Sequence, residues 1–227
     1  MTILSKIGQV LATDLSKDIL FKRKENQKDE CNFLEELRKR RSIYHLGKKV
    51  AYPQDELVSL IKETVYCCPS VLNCQSTRVV ILLQKSHAQF WAMVKEIQKK
   101  YMHEKAYEGM ALKIDESMAA YGTILYFQDL DVIQKLQKLR PLQANDFEVW
   151  SEQSLGMVQF AVWGLLASLN LGAALHHYNA NINDEILQYY DLPSHWQLKA
   201  QMTFGSIMTP ADAKSYEDDQ VIFRVFS

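Results

Sequence analysis

Apolar and polar positions alternate along this chain with two different periods, and the switches between them outline a mixed helix and strand protein. Pro53 and Asp55 open a predicted helix whose Leu57, Leu60, Ile61 and Val65 share a stripe, and Pro69 stops it. Val79 to Leu83 is a β-branched apolar run, the signature of a buried strand. Ser86 stands where it could cap a second helix, with Phe90, Val94, Ile97 and Tyr101 on one face. Ile124 to Phe127 reads as a short strand. Trp150 to Leu169 reads as a long helix, and its second half is apolar almost all round, which demands burial on most sides. A strand at Ala173–Leu175, a helix over Asp184–Tyr190, a strand at Ala200–Phe204 and a last strand at Val221–Phe226 complete the pattern.

The first thirty residues stand apart. Ile3, Leu4, Ile7, Val10, Leu11, Leu15, Ile19 and Leu20 recur at helical spacing, and a charged stretch from Lys22 to Glu30 follows. Asp14 and Asp18 argue against an organellar presequence, and no continuous apolar block resembles a secretory signal. The expectation is an amphipathic helical arm over residues 1–30, packed on the body or on a second subunit. A membrane-surface helix is the weaker reading, because its polar face carries both signs of charge.

Composition narrows the class. The 227 residues carry 26 Lys and Arg against 27 Asp and Glu, so bulk charge offers no attraction to nucleic acid. Hydrophobic residues at 48% are those of a globular protein, and no apolar run approaches the roughly 20 residues of a membrane span. Cys31, Cys67, Cys68 and Cys74 form no CxxC pair and no zinc-ligand spacing. Free thiols point to a reducing cytoplasm.

No Walker loop, GxGxxG, GxSxG or HExxH is present, so the candidate chemistry rests on polar groups at element ends. Arg40, Arg41 and Ser42 could clamp a phosphate through charge-assisted bonds; a solvated basic helix end is the plainer reading of the same residues. In the loop from Pro69 to Gln75, Asn73 and Gln75 offer the mixed donors and acceptors that suit a flavin edge, while turn residues satisfying local backbone are the plainer reading of the segment in isolation. His176 and His177 are adjacent on a predicted strand, point to opposite faces, and so do not chelate one metal ion.

Taken in order, six segments resemble the FMN-dependent nitroreductase family, in the branch of copper-induced and fatty-acid-response nitroreductases. They are RKRRSIY at 38–44, PSVLNCQSTRVVILL at 69–83, AAYGTILYFQD at 119–129, WSEQSLGMVQFAVWGLL at 150–166, LGAALHHYNANI at 171–182 and LPSHWQLKAQMTFG at 192–205. The resemblance spans residues 33 to 227. It implies an α+β sandwich with a central mixed sheet flanked by helices, forming a homodimer with a broad helical interface and a C-terminal segment reaching onto the partner. Residues 31–227 form the FMN-binding domain in this reading, and the arm has no counterpart.

The same resemblance implies roles. Arg40, Arg41 and Ser42, joined by Lys214, hold the FMN phosphate and ribityl chain. Asn73 and Gln75 border the flavin ring, and Ser70 reaches it from the other subunit. Backbone groups of His177, Tyr178 and Asn179 lie near the reactive edge, and Arg78 is a candidate to stabilise charge on the reduced ring. Many relatives carry Lys or Arg where Tyr44 stands, and Val71 replaces a common serine. The implied activity is a ping-pong cycle in which NADH or NADPH reduces FMN and a nitroaromatic or quinone-type acceptor reoxidises it, with no catalytic side chain and no metal. The alternative is a flavin-binding redox or lipid-response regulator with incidental turnover, motivated by the arm.

Overall fold

The computed structural model describes residues 32–179 and 181–226. The arm expected over residues 1–30 lies outside them. The chain divides into two compact units, Met1–Arg38 and Lys39–Ser227. Helix α1 (Asn32–Lys39) falls across that boundary in the sequence, and the remaining elements belong to the second unit.

The second unit is built on one sheet. Its strands are β1 (Leu46–Gly47), β2 (Thr77–Leu83), β3 (Gly122–Asp129), β4 (Gly172–His176) and β5 (Trp196–Ile207). Strand β5 pairs with β3, β4 and β1, and β2 lies outside β3 as an edge. One face is covered by α2 (Gln54–Cys67) and α6 (Asp146–Ser168), packed on Ile124, Tyr126, Ala200, Met202 and Phe204. The other face is covered by α3 (Gln84–Tyr101), α4 (Glu104–Met118) and α7 (Asn183–Tyr189), packed on Leu82, Leu125, Phe127 and Leu198. A sheet covered on both faces explains why every residue of β3 is buried. Helices α5 (Leu130–Leu139) and α8 (Asp219–Ile222) complete the chain.

The α+β class and the helix-flanked sheet match the sequence expectation. The pairing differs in one respect: all five strands ladder antiparallel, and the single parallel pairing among the described residues is the bridge Ser42–Ala173. The connection explains it. The chain leaves β2 through α3 and returns through α4, two helices of 18 and 15 residues, so it re-enters the sheet near the end it left and β3 must run backwards.

Three local expectations need correction. Val221–Phe226 forms no strand: residues 219–222 are a short helix, and Phe223, Val225 and Phe226 are exposed, because they pair with no strand among the described residues. Ser86 does not cap α3, which begins two residues earlier straight out of β2, with Leu83 at the cap position. Tyr101, the last residue of the helix, leaves the buried stripe of Phe90, Val94 and Ile97 and is exposed.

A buried polar chain crosses the second face. The Trp91 indole N–H donates to Thr123 Oγ1 at 2.8 Å, and that hydroxyl faces His87 Nδ1 at 2.8 Å. His87 Nε2 lies 3.1 Å from the Met118 carbonyl, which can only accept, so the proton sits on Nε2 and Thr123 donates to Nδ1. Every group in the chain is satisfied by a neutral imidazole, and burial lowers the His87 pKa accordingly.

Close approach of two backbones sets β1. A Cβ added to Gly205 would collide with the Gly47 carbonyl oxygen and crowd the Tyr121 amide. Gly205→Ala is expected to cost about 1–3 kcal/mol by overpacking, read as a lower midpoint in urea. Thr123→Val, which orphans both the Trp91 and His87 nitrogens, is expected to cost a similar ~1–3 kcal/mol.

Candidate functional site

Residues 40–45 run beside β4. Ser42 bridges Ala173, and the Ile43 amide donates to the Ala173 carbonyl at 2.9 Å. This segment forms one wall of a cleft of about 470 Å³, and residues 209–214, just past β5, form the other. Arg40, Arg41, Ser42 and Lys214 therefore meet in one place although more than 170 positions separate them. Three cations against the lone carboxylate of Asp212 make the cleft electropositive.

Trp163 of α6 organises this wall. Its indole face lies 4.7 Å from the Arg40 guanidinium carbon, and its N–H donates to the Arg41 carbonyl at 3.2 Å. Arg41 in turn donates from Nη2 to the Asp212 carbonyl at 2.6 Å and ties the two walls together. Sequence reading placed Trp163 in an apolar helix and missed this role, since nothing in its helical period shows that the indole ends against a basic loop.

A second cleft, of about 610 Å³, shares Tyr44 and His45 with the first and adds Lys113, Glu116, Ser117, Leu175, His176, His177 and Tyr178. Its wall is aromatic. Tyr44 meets His176 edge-on at 6.1 Å, and His176 stacks with Tyr178 at 6.0 Å. His176 Nε2 lies 3.0 Å from Thr203 Oγ1, whose hydroxyl is directed at the Ala174 carbonyl, so the imidazole donates from Nε2. Burial, with His177 next to it, pushes the His176 pKa down to about 4. At neutral pH His176 is therefore uncharged, a polar ring between Tyr44 and Tyr178. Tyr178 and Asn179 are fastened from below: the Tyr178 amide donates to Gln201 Oε1, and Gln201 Nε2 donates to Asn179 Oδ1. Asn179 sits off both clefts, its amide also donating to the Lys199 carbonyl.

The remaining sequence candidates lie elsewhere. Ser70, Asn73, Gln75 and Arg78 line a third, larger cleft of about 1140 Å³ with α2 and the outer edge of β2. Ser70 Oγ accepts from the Gln75 amide at 3.0 Å, and the Val71 amide donates to Ser154 Oγ at 3.3 Å. Leu72, Asn73 and Gln75 all have positive φ, which strains non-glycine residues and is found where a loop is held for a purpose. Arg78 is held by Asp129 Oδ2 at 2.7 Å and the Gln75 carbonyl at 2.6 Å, while Asp129 Oδ1 caps α5 through the Asp131 and Val132 amides.

The strand register measures how far apart the two groups are. Ser42 sits beside Ala173, which pairs through Phe204 and Gly122 to Leu83, while Arg78 lies near the opposite end of β2. Four ladder steps and about five residues of strand put them roughly 19 Å apart across the sheet and about 17 Å along it. No single mononucleotide touches both within one chain.

Comparison with known proteins adds a lineage to this geometry. The family model described as the nitroreductase family matches residues 37–206. The chain is 32% identical over 178 residues to the nitroreductase FRM2 of Saccharomyces cerevisiae, covering 77% of this chain and 87% of that protein. It is 30% identical to the putative nitroreductase HBN1 of the same yeast, over 86% of this chain and 98% of that one. Among solved structures, the nitroreductase CinD from Lactococcus lactis superposes with a TM-score of 0.80 at 38% identity, over 86% of this chain and all of CinD. CinD has been solved with chloramphenicol, nicotinic acid and 4-nitrophenol.

Two neutral histidines, His87 buried and His176 half-buried, predict an acid limit on stability. Unfolding returns His176 to a pKa near 6.5, so the unfolded chain binds more protons than the folded one between that value and about 4. Stability present above pH 6.5 should therefore fall as pH drops toward 4, with His87 adding in the same direction. Thermal melts across this range should show the slope, and His176→Gln, which keeps a donor for Thr203, should flatten it.

Proposed function

The chain belongs to the nitroreductase family, and we propose that it works as a homodimeric FMN-dependent oxidoreductase, using NADH or NADPH to reduce nitroaromatic or quinone-type acceptors. The observation that carries this reading is the electropositive cleft of Arg40, Arg41, Ser42 and Lys214 opening directly onto the uncharged aromatic wall of Tyr44, His176 and Tyr178. A phosphate needs the first and a flat ring needs the second.

The donor set fits the cofactor. Guanidinium and ammonium groups bind a phosphate dianion through charge-assisted bonds, and Ser42 adds a hydroxyl suited to the ribityl chain. Trp163 restricts Arg40 before any ligand arrives, which lowers the ordering cost of binding. Tyr44 puts a ring edge on His176 where many relatives carry a cation. When bound, FMN supplies the acceptance and donation of hydride, and the protein supplies placement and electrostatics. The chloramphenicol and 4-nitrophenol bound by CinD each carry one nitro-substituted aromatic ring, the acceptor chemistry proposed for this chain.

Three features support the dimer. The strained loop carrying Ser70, Asn73 and Gln75 is too far from Arg40–Ser42 to serve the same ligand unless a second copy brings it. Helix α6 leaves Val149, Met157 and Phe160 substantially exposed, beside Gly156 and Gly164 whose outer sides are open. Among the described residues the apolar tail Val221–Phe226 has no strand partner, and the outer edge of β2 is unpaired. An obligate interface would cover all three.

Purified protein should be yellow, with a flavin spectrum that leaves on denaturation; a colourless protein that takes up no added FMN would sink the proposal. Arg41→Ala and Lys214→Ala should each weaken FMN binding by about 10–100-fold, the loss of one bond to a charged group. Truncation after Asp218 should move the sedimenting species from dimer toward monomer.

A further inference from the structure

Gln201 lies in the middle of β5, fully buried, with no water to turn to. Its side chain is engaged at both ends in a fixed sense. Oε1 accepts from the Tyr178 amide at 2.8 Å, Nε2 donates to Asn179 Oδ1 at 2.7 Å, and the Asn179 amide nitrogen donates to the Lys199 carbonyl. The chain of bonds has one polarity, because the Lys199 carbonyl can only accept and the Tyr178 amide can only donate. Strand β4 ends at His176, so beyond that residue the ladder no longer holds the backbone, and these bonds take over the task.

We propose that Gln201 is a positioning residue, fixing through Asn179 and the Tyr178 backbone the 177–179 segment that borders the cofactor ring. The assignment rests on the FMN reading above and deepens it. Leucine at 201 would leave the Tyr178 amide and the Asn179 oxygen without partners in a buried setting. Glutamate is the more informative change. A carboxylate still accepts from Tyr178, yet it turns its second oxygen on Asn179 Oδ1. Flipping the Asn179 amide only moves the repulsion to the Lys199 carbonyl. A protonated carboxyl restores the whole chain, its O–H standing in for the amide N–H. Burial raises the pKa of such a group above the usual glutamate value of about 4.3.

The titratable neighbours on this face of the sheet are His176 on β4, His87 on α3 and Tyr178. Lys113 and Glu116 of α4 stand with Tyr178 around the adjoining cleft. On the opposite face Lys199 pairs with Glu152 of α6 at 2.7 Å. These groups are common to wild type and variants, so a limb that only the variants show belongs to the introduced acid.

The test compares FMN-loaded wild type, Q201E, Q201L, N179D and N179A, recording three quantities against pH: the visible flavin band, the anaerobic rate of flavin reduction by NADH, and the melting temperature. In Q201E the reduction rate should be about tenfold lower with the acid ionised and recover to within about threefold once it is protonated, as expected for one broken buried hydrogen bond. The flavin band should move with the same midpoint. Q201L and N179A should be slow at every pH. N179D places the same acid at a half-buried position, and it carries the test if Q201E does not fold. The proposal is overturned if the acid variants change only in melting temperature while band and rate follow the wild-type profile. A wild type that binds no FMN overturns the cofactor reading, and this proposal with it; a yellow, active wild type separates the two failures.

Discussion

The antiparallel ladder on both sides of β5 is the constraint from which the site follows. Twelve residues long, β5 holds β3 on one side and β4 on the other over the same stretch, residues 201 to 204, and carries β1 at its end. Four functions are threaded through that one strand. Gln201 and Thr203 hold the aromatic wall, Gly205 admits the backbone of β1, the turn after Ile207 supplies Lys214, and Trp196 at the far end lies against Arg78. Because the ladder leaves each residue one register and one face, a shift of one position would move every one of these groups to the wrong side.

Charge is distributed with equal economy. Cations gather where residues 40–45 meet 209–214, and in the adjoining wall the half-buried His176 stays neutral with its Nε2 proton given to Thr203. The contrast between an end that gathers three cations and a ring-lined slot in which Lys113 is matched by Glu116 distinguishes this arrangement from a generic basic patch. Arg78 illustrates the other use of charge. Locked to Asp129, which also caps α5, it braces the loop that carries Ser70 and Asn73.

Much of the fold was legible in the residues. The stripes on α2, α3 and α6 and the apolar runs of β2, β3, β4 and β5 were visible because burial on a helix or a strand imposes its own period. The terminal segment Val221–Phe226 misled for the same reason: its composition suits a strand, but a strand needs a neighbour, and no pattern within a single segment reports one. Helices α4 and α5 escaped notice because their faces mix charged and apolar residues, each having a short buried face that includes Ile114 or Ile133.

What the sequence determined by itself was therefore local and compositional: element types, the absence of a nucleotide-binding loop or hydrolase motif, and the family to which six ordered segments belong. Only the tertiary structure decided which polar groups meet. It joined Lys214 to Arg40 and Arg41, gave Trp163 its role as an anchor, made Gln201 the fastening of residues 178 and 179, and set Ser70 and Asn73 far from the basic cleft. The physical reason is that periodicity encodes the side of an element that faces inward, whereas contacts between distant segments depend on strand order and register. Those are set by packing the whole sheet at once.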